Sequence, residues 1–195
     1  MKRRLGVVAP LLLLLAAACG PDEGASSSPG GSASNEYWFE SLPRMVATSD
    51  VVVLGTVVDI QRGVMVGTPP EEIYLLNADL DVEETLYGAA DTLRALTVQT
   101  LQDVPPQPDW REIGTRVLAF MKLSTDPNFP GLYYPVNDQS VYLVKGIDLQ
   151  ATTADDDPLS KGVARMTLDE LRGKIERAKR AIAAGEVTAQ TPVGG

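Results

Sequence analysis

The chain predicts a mainly β domain with flanking helices, an α+β arrangement built on a small closed antiparallel barrel. Three observations carry this prediction. Ala78, Leu80 and Val82 alternate with Asn77, Asp79, Asp81 and Glu83, the period-two pattern of a strand with one dry and one wet face. Residues 50–60 form a run dense in valine and interrupted by Gly55, as expected of a long strand with a bend or bulge. Near the C-terminal end, Thr167 and Glu170 have capping-box spacing, and Leu168, Leu171, Ile175, Ala178 and Ile182 recur at helical spacing, which predicts an amphipathic helix.

The remaining elements follow in order. Ser41 is placed to cap a short helix, Pro43 suits its first turn, and Leu42, Met45 and Val46 share one face. Tyr37 and Trp38 precede that helix and are expected to staple it down. After the strand at 50–60 comes one at 73–86, then a third at 93–101, where Leu93, Ala95, Thr97, Gln99 and Leu101 alternate with Leu96 and Val98. Residues 116–123 and 141–144 are further short apolar runs, and 131–136 can pair beside them. Gly185 is placed to end the last helix as a C-terminal cap. Five or six strands with a short helix at one end and a longer one at the other fit an antiparallel sheet closing on itself and not a parallel βαβ fold.

Three stretches carry a family likeness. They are Ser49-Asp50-Val51-Val52-Val53-Leu54-Gly55-Thr56-Val57, then Val82-Glu83-Glu84-Thr85-Leu86-Tyr87-Gly88, then Gly114-Thr115-Arg116-Val117-Leu118-Ala119-Phe120, with Gly131-Leu132-Tyr133-Tyr134-Pro135 following. Together they resemble the OB-fold of the tissue-inhibitor-of-metalloproteinase and netrin-like modules, over roughly residues 41 to 145. The resemblance implies an OB-like barrel. It does not carry over inhibition, because the animal inhibitors present the free amine and carbonyl of a disulfide-braced N-terminal cysteine to a protease zinc. Cys19, the single cysteine here, has no partner and stands well ahead of the domain.

The first twenty residues have their own pattern. Lys2, Arg3 and Arg4 precede an apolar run at 5–18, which is too short for an ordinary membrane-spanning helix. Leu15-Ala16-Ala17-Ala18-Cys19-Gly20 then resembles the lipobox of bacterial lipoproteins, with Ala16 where leucine is usual. The resemblance implies cleavage before Cys19 and a diacylglyceryl group on its sulfur, placing the protein on the outer face of the cytoplasmic membrane. An ordinary signal peptidase cutting after Ala18 is the alternative. Residues 20–35 hold Gly, Ser, Ala, Pro and two acids, the composition of a flexible tether. The expected organisation is therefore a signal peptide at 1–18, the lipidated cysteine and tether at 19–35, one OB-like domain at 36–185, and a frayed tail at 186–195.

Charge and composition limit the function. The chain has 17 Lys and Arg against 26 Asp and Glu, a formal net charge of −9. Without residues 1–18, which carry three of the basic side chains and no acid, this becomes −12. Such a surface repels phosphate backbones and anionic headgroups and favours cations or basic partners. There is no histidine, so Ser-His-Asp, Cys-His and histidine-ligated metal chemistry are excluded. No phosphate-binding glycine loop, Gly-x-Ser-x-Gly elbow or Ser-x-x-Lys motif occurs, and no cofactor is expected.

Two acidic groups are candidate cation sites: Asp79, Asp81 and Glu83 on one strand face, and Asp155, Asp156 and Asp157 in a connector. The alternatives are a solvated face and a polar loop. Trp110, Phe129, Tyr133 and Tyr134 form a candidate ligand surface at the barrel ends, or else plug those ends as core. Three functional classes follow. A noncatalytic module that binds an envelope protein or cell-wall component leads, a hydrolase using a carboxylate pair on a cell-wall substrate comes second, and nucleic-acid binding is disfavoured by the charge.

Overall fold

A computed structural model describes residues 37–192, apart from 71, 89–94, 102–105, 107, 138 and 153–156. The leader, Cys19, the tether, Leu93, Asp155 and Asp156 lie outside the described residues. The elements run α1 (Leu42–Thr48), β1 (Val51–Val66), β2 (Ile73–Gly88), β3 (Ala95–Leu101), β4 (Arg116–Leu123), β5 (Tyr133–Pro135), β6 (Val141–Lys145), β7 (Asp148–Ala151), α2 (Pro158–Ala164) and α3 (Leu168–Ala183). The mainly β, α+β class is as the sequence predicts, with its short N-terminal and longer C-terminal helices.

The strands form one sheet in the order β1-β2-β3-β5-β4-β6-β7, and β1 also pairs with β4, so five strands close a ring. Its pairings are antiparallel except β3 with β5, a parallel seam resting on the single pair Val98 and Tyr133. Strand β4 pairs along one edge with β1 and divides the other between β5 and β6. Burial follows from this position. Val51, Val53, Val117, Ala119 and Met121 pack among the strands with Ala78, Leu80, Val82 and Val98. Val52, Leu54, Leu118 and Phe120, on the alternate positions, pack beneath the helices with Met45, Leu171 and Ile175. Strands buried on both faces read as continuous apolar runs, which is why residues 51–54 show no alternation.

Gly55 marks a bulge, as expected, but the extra residue lies on the facing strand. Leu54 pairs with Glu84 and Gly55 with Val82, leaving Glu83 unopposed. A Cβ on Gly55 would stand 2.7 Å from the Asp81 carbonyl oxygen, so the close backbone approach requires glycine.

The helices bury one face each. In α3, Thr167 Oγ1 accepts from the Glu170 amide and the Glu170 carboxylate accepts from the Thr167 amide, the capping box the sequence predicts. At its other end Gly185 has φ +75°. Its amide bonds to Ile182 O and the Glu186 amide to Ala181 O, a Schellman closure. In α1, Ser41 occupies the capping position but its hydroxyl makes no capping bond. The helix is instead locked at its far end, where the Ser49 hydroxyl donates to Met45 O at 2.7 Å.

The staple before α1 differs from expectation. Tyr37 and Phe39 are buried and stacked, 5.9 Å between centroids, while Trp38 is 50% exposed. In an extended segment alternate side chains share a side, so Trp38 points away. The tail also departs from a simple frayed end, because the Gln190 amide donates to Thr48 Oγ1 at 2.8 Å and ties the chain back to α1. Strand β7 and helix α2 are additions to the predicted set. Among the described residues no helix is long and apolar enough to cross a membrane.

Candidate functional site

The acidic face of β2 is taken up by cross-strand partners. Asp79 accepts from Thr97 Oγ1 at 2.6 Å. Glu83 reaches over β1, accepting from Thr56 Oγ1 at 2.9 Å and from Arg116 Nη2 at 2.6 Å, so its position on the bulge lets one carboxylate link three strands. Asp81 is exposed beside them. Among the described residues no group of three or more acidic side chains is arranged to hold a metal ion. Asp157, from the second acidic group, caps α2 by accepting from the Ser160 amide.

The aromatic set divides. Trp110 is 3% exposed and packs in the interior among the strands, and Phe129 is also buried. Tyr133 is half-buried against that same interior, and Tyr134 is half-buried. Trp110 is therefore part of the core among the strands, while Phe129 is buried outside both core clusters.

Ionisation points away from acid catalysis at the acids that are perturbed. The Arg116 guanidinium holds Glu83 below its ordinary value, outweighing the opposite effect of burial. Burial alone would raise Asp109, but hydrogen bonds from Arg111 leave it lowered. A general acid needs the reverse. Asp59 and Asp79 face each other in the register of β1 and β2, yet each carboxylate has its own donor, Gln61 for Asp59 and Thr97 for Asp79. Burial pushes the Tyr142 hydroxyl far above the phenol range, with Ser160 and Asp157 beside it. Tyr142 and Ser160 are closed off from solvent, so this group packs the helical layer and offers no reactive surface.

An open feature lies on the helical layer. A cleft of about 540 Å³ lies between the start of α1, the outer side of α2 and the second half of α3, lined by Leu42, Pro43, Leu159, Gly162, Met166 and Ala178 among others, with Glu40, Lys174 and Arg177 also on its walls. A second cleft of about 560 Å³ adjoins it, sharing Met166, Lys174 and Arg177 and adding Arg165, Asp169, Glu170 and Gly173. The two form one furrow with an apolar floor at one end and a charged one at the other. Helix α3 sets this up through its periodicity. Leu171, Ile175 and Ala178 turn inward, which carries Lys174 and Arg177 to the outer side at helical spacing.

Two glycines stand out in this furrow. Gly162 lies inside α2 and Gly173 inside α3, where glycine costs about 1 kcal/mol relative to alanine. Packing does not require either. A Cβ on Gly162 would meet nothing within 4 Å, and one on Gly173 only the tip of Arg177 at 3.8 Å. The sequence reading missed this site, because its walls come from residues 40–43 and 158–181. The two mid-helix glycines were the only local trace of it.

The furrow can accommodate apolar side chains on its floor and anionic groups at its rim. Its walls carry the carboxylates of Glu40, Asp169 and Glu170, but among the described residues no group of three or more such side chains is placed to hold a metal ion. No protein-family model matches the chain and no match was found among the curated proteins, so what the site accepts is argued from its chemistry alone.

Proposed function

We propose that this protein is a membrane-tethered binding module of the bacterial cell envelope. In this reading lipid on Cys19 holds it at the outer face of the cytoplasmic membrane, and the domain docks an envelope protein or cell-wall component without chemically altering it. The observation that carries the binding role is the furrow over α1, α2 and α3, with its apolar floor and charged rim. The address rests on the basic, apolar and Ala-Ala-Ala-Cys pattern of the first nineteen residues. Two acyl chains bury many methylenes at about 0.8 kcal/mol each, enough for durable anchoring where one chain is marginal. The ring of five strands with one thin seam supports an OB-like domain, a five-stranded barrel that is partly open.

The address is tested by mass spectrometry of the N-terminal peptide from the membrane fraction. Diacylglyceryl on Cys19 is expected, together with release into the soluble fraction by Cys19→Ser. A cytosolic chain that retains residues 1–19 would overturn the proposal. The binding role is tested by crosslinking on intact cells from a photoreactive residue at Leu159. A discrete adduct is expected, and its absence at every furrow position tried would remove the role.

A further inference from the structure

Resting on that reading, we infer that the occupant of the furrow is an acidic, amphipathic segment of a partner polypeptide, seated with its apolar side chains on the floor and its carboxylates at the rim. The charge distribution is the first reason. The chain is strongly acidic overall, so its basic side chains have acids available, and several use them: Arg172 bridges Glu84 and Asp169, and Lys179 pairs with Glu176. Arg165, Lys174 and Arg177, which line the furrow, form no ion pair with any described residue, whereas of the three acids on the same walls Asp169 is paired with Arg172 and Glu170 accepts from the Thr167 amide, leaving Glu40 at the apolar end. Cationic charge left unneutralised on an acidic protein favours an anionic occupant, and charge of this kind raises association rate and selectivity.

Shape is the second reason. The two clefts are open, adjoin through Met166, Lys174 and Arg177, and together are not a closed pocket for one small molecule. That form fits a helix or extended segment presenting apolar anchors at regular spacing. The two glycines bear on the same point from a different side. Each gives up helix stability without any packing need within the domain, and each leaves a stretch of its cleft wall without a side chain. A flat membrane surface would not need that clearance, whereas a seated polypeptide does.

The test uses the purified full-length protein and fluorescein-labelled synthetic peptides of about 16 residues, with Leu at helical i, i+3, i+4, i+7 spacing. Glu fills the polar positions of one peptide and Lys those of the other. The Glu peptide is expected to bind about tenfold or more tightly than the Lys peptide, and less tightly as salt rises. Lys174→Glu with Arg177→Glu is expected to invert that preference. Gly162→Leu and Gly173→Leu are each expected to weaken binding about tenfold while the protein melts no lower, because leucine suits a helix better than glycine.

Equal binding of the two peptides would overturn the inference. So would leucine at both glycines with no loss of binding. Vesicles of phosphatidylglycerol and phosphatidylethanolamine that bind through Lys174 and Arg177, and that the Glu peptide does not displace, would assign the face to the membrane and overturn it as well. These outcomes are separable from the address: an unmodified Cys19 with intact peptide selectivity removes only the lipid anchor, and a lipidated Cys19 without that selectivity removes only the occupant.

Discussion

Residues 37–157, which supply the sheet, carry nineteen Asp and Glu against seven Lys and Arg, whereas residues 158–186, which supply α2 and α3, carry four against seven. The two stretches of sequence carry opposite net charge. The net charge of −12 expected for the chain without residues 1–18 is therefore unevenly distributed along it, and the preference for cations or basic partners inferred from it belongs to residues 37–157. Whole-chain charge averages over faces that a partner meets one at a time. The regions also differ in how their charges are used, since Asp79 and Glu83 on β2 are engaged across the sheet by Thr97, Thr56 and Arg116, while Arg165, Lys174 and Arg177 form no ion pair with a described residue.

The largest expected effect tests whether the two layers are one cooperative unit. Leu80→Ala empties space among the strands and Ile175→Ala empties space beneath the helices, and each is expected to cost about 2–5 kcal/mol. In urea, Trp110 fluorescence, which reports the strand interior, and helical circular dichroism are expected to change together in both variants. Separate transitions would show that the layers unfold independently. Gly55→Ala comes next, at about 1–3 kcal/mol, because its methyl group collides with the Asp81 carbonyl; a stability equal to wild type would mean that the bulge yields.

Gly173→Ala sharpens the contrast, since the same substitution in the helical layer is expected to stabilise by about 0.5–1 kcal/mol. A loss would reveal a packing role for that glycine. The smallest effect concerns pH. Glu83 is held below its ordinary value in the folded state, so the stability it contributes is present above the unfolded carboxylate range and disappears as pH falls through the lowered folded value. The pair is half-exposed, so Arg116→Met is expected to cost less than about 1 kcal/mol at pH 7. The variant and wild type should converge in denaturation curves once pH has fallen through that lowered folded value, and a gap that persists below it would assign the loss to packing of the arginine stem.

The sequence showed its structure best where the pattern was local. The Thr167–Glu170 box, the apolar stripe of α3 and the alternation of Ala78, Leu80 and Val82 each lie within a few residues and follow directly from backbone geometry. Strand β7 escaped because Asp148–Ala151 places a single buried apolar residue, Leu149, in four positions. Helix α2 escaped because its cap, Asp157, reads as the end of an acidic run and because Gly162 interrupts its seven residues. Trp38 and Phe39 are neighbours of similar hydrophobicity, and which of them turns inward is decided by the register of an extended segment. The furrow was hidden for a different reason: its walls are joined only by the return of the chain after the whole sheet has formed.

That return has a consequence of its own. The chain enters the domain just before α1, and the Gln190 contact brings it out against the far end of that same helix. Both ends therefore leave from one side, as in domains that can be spliced into a host protein as a guest without disturbing either partner.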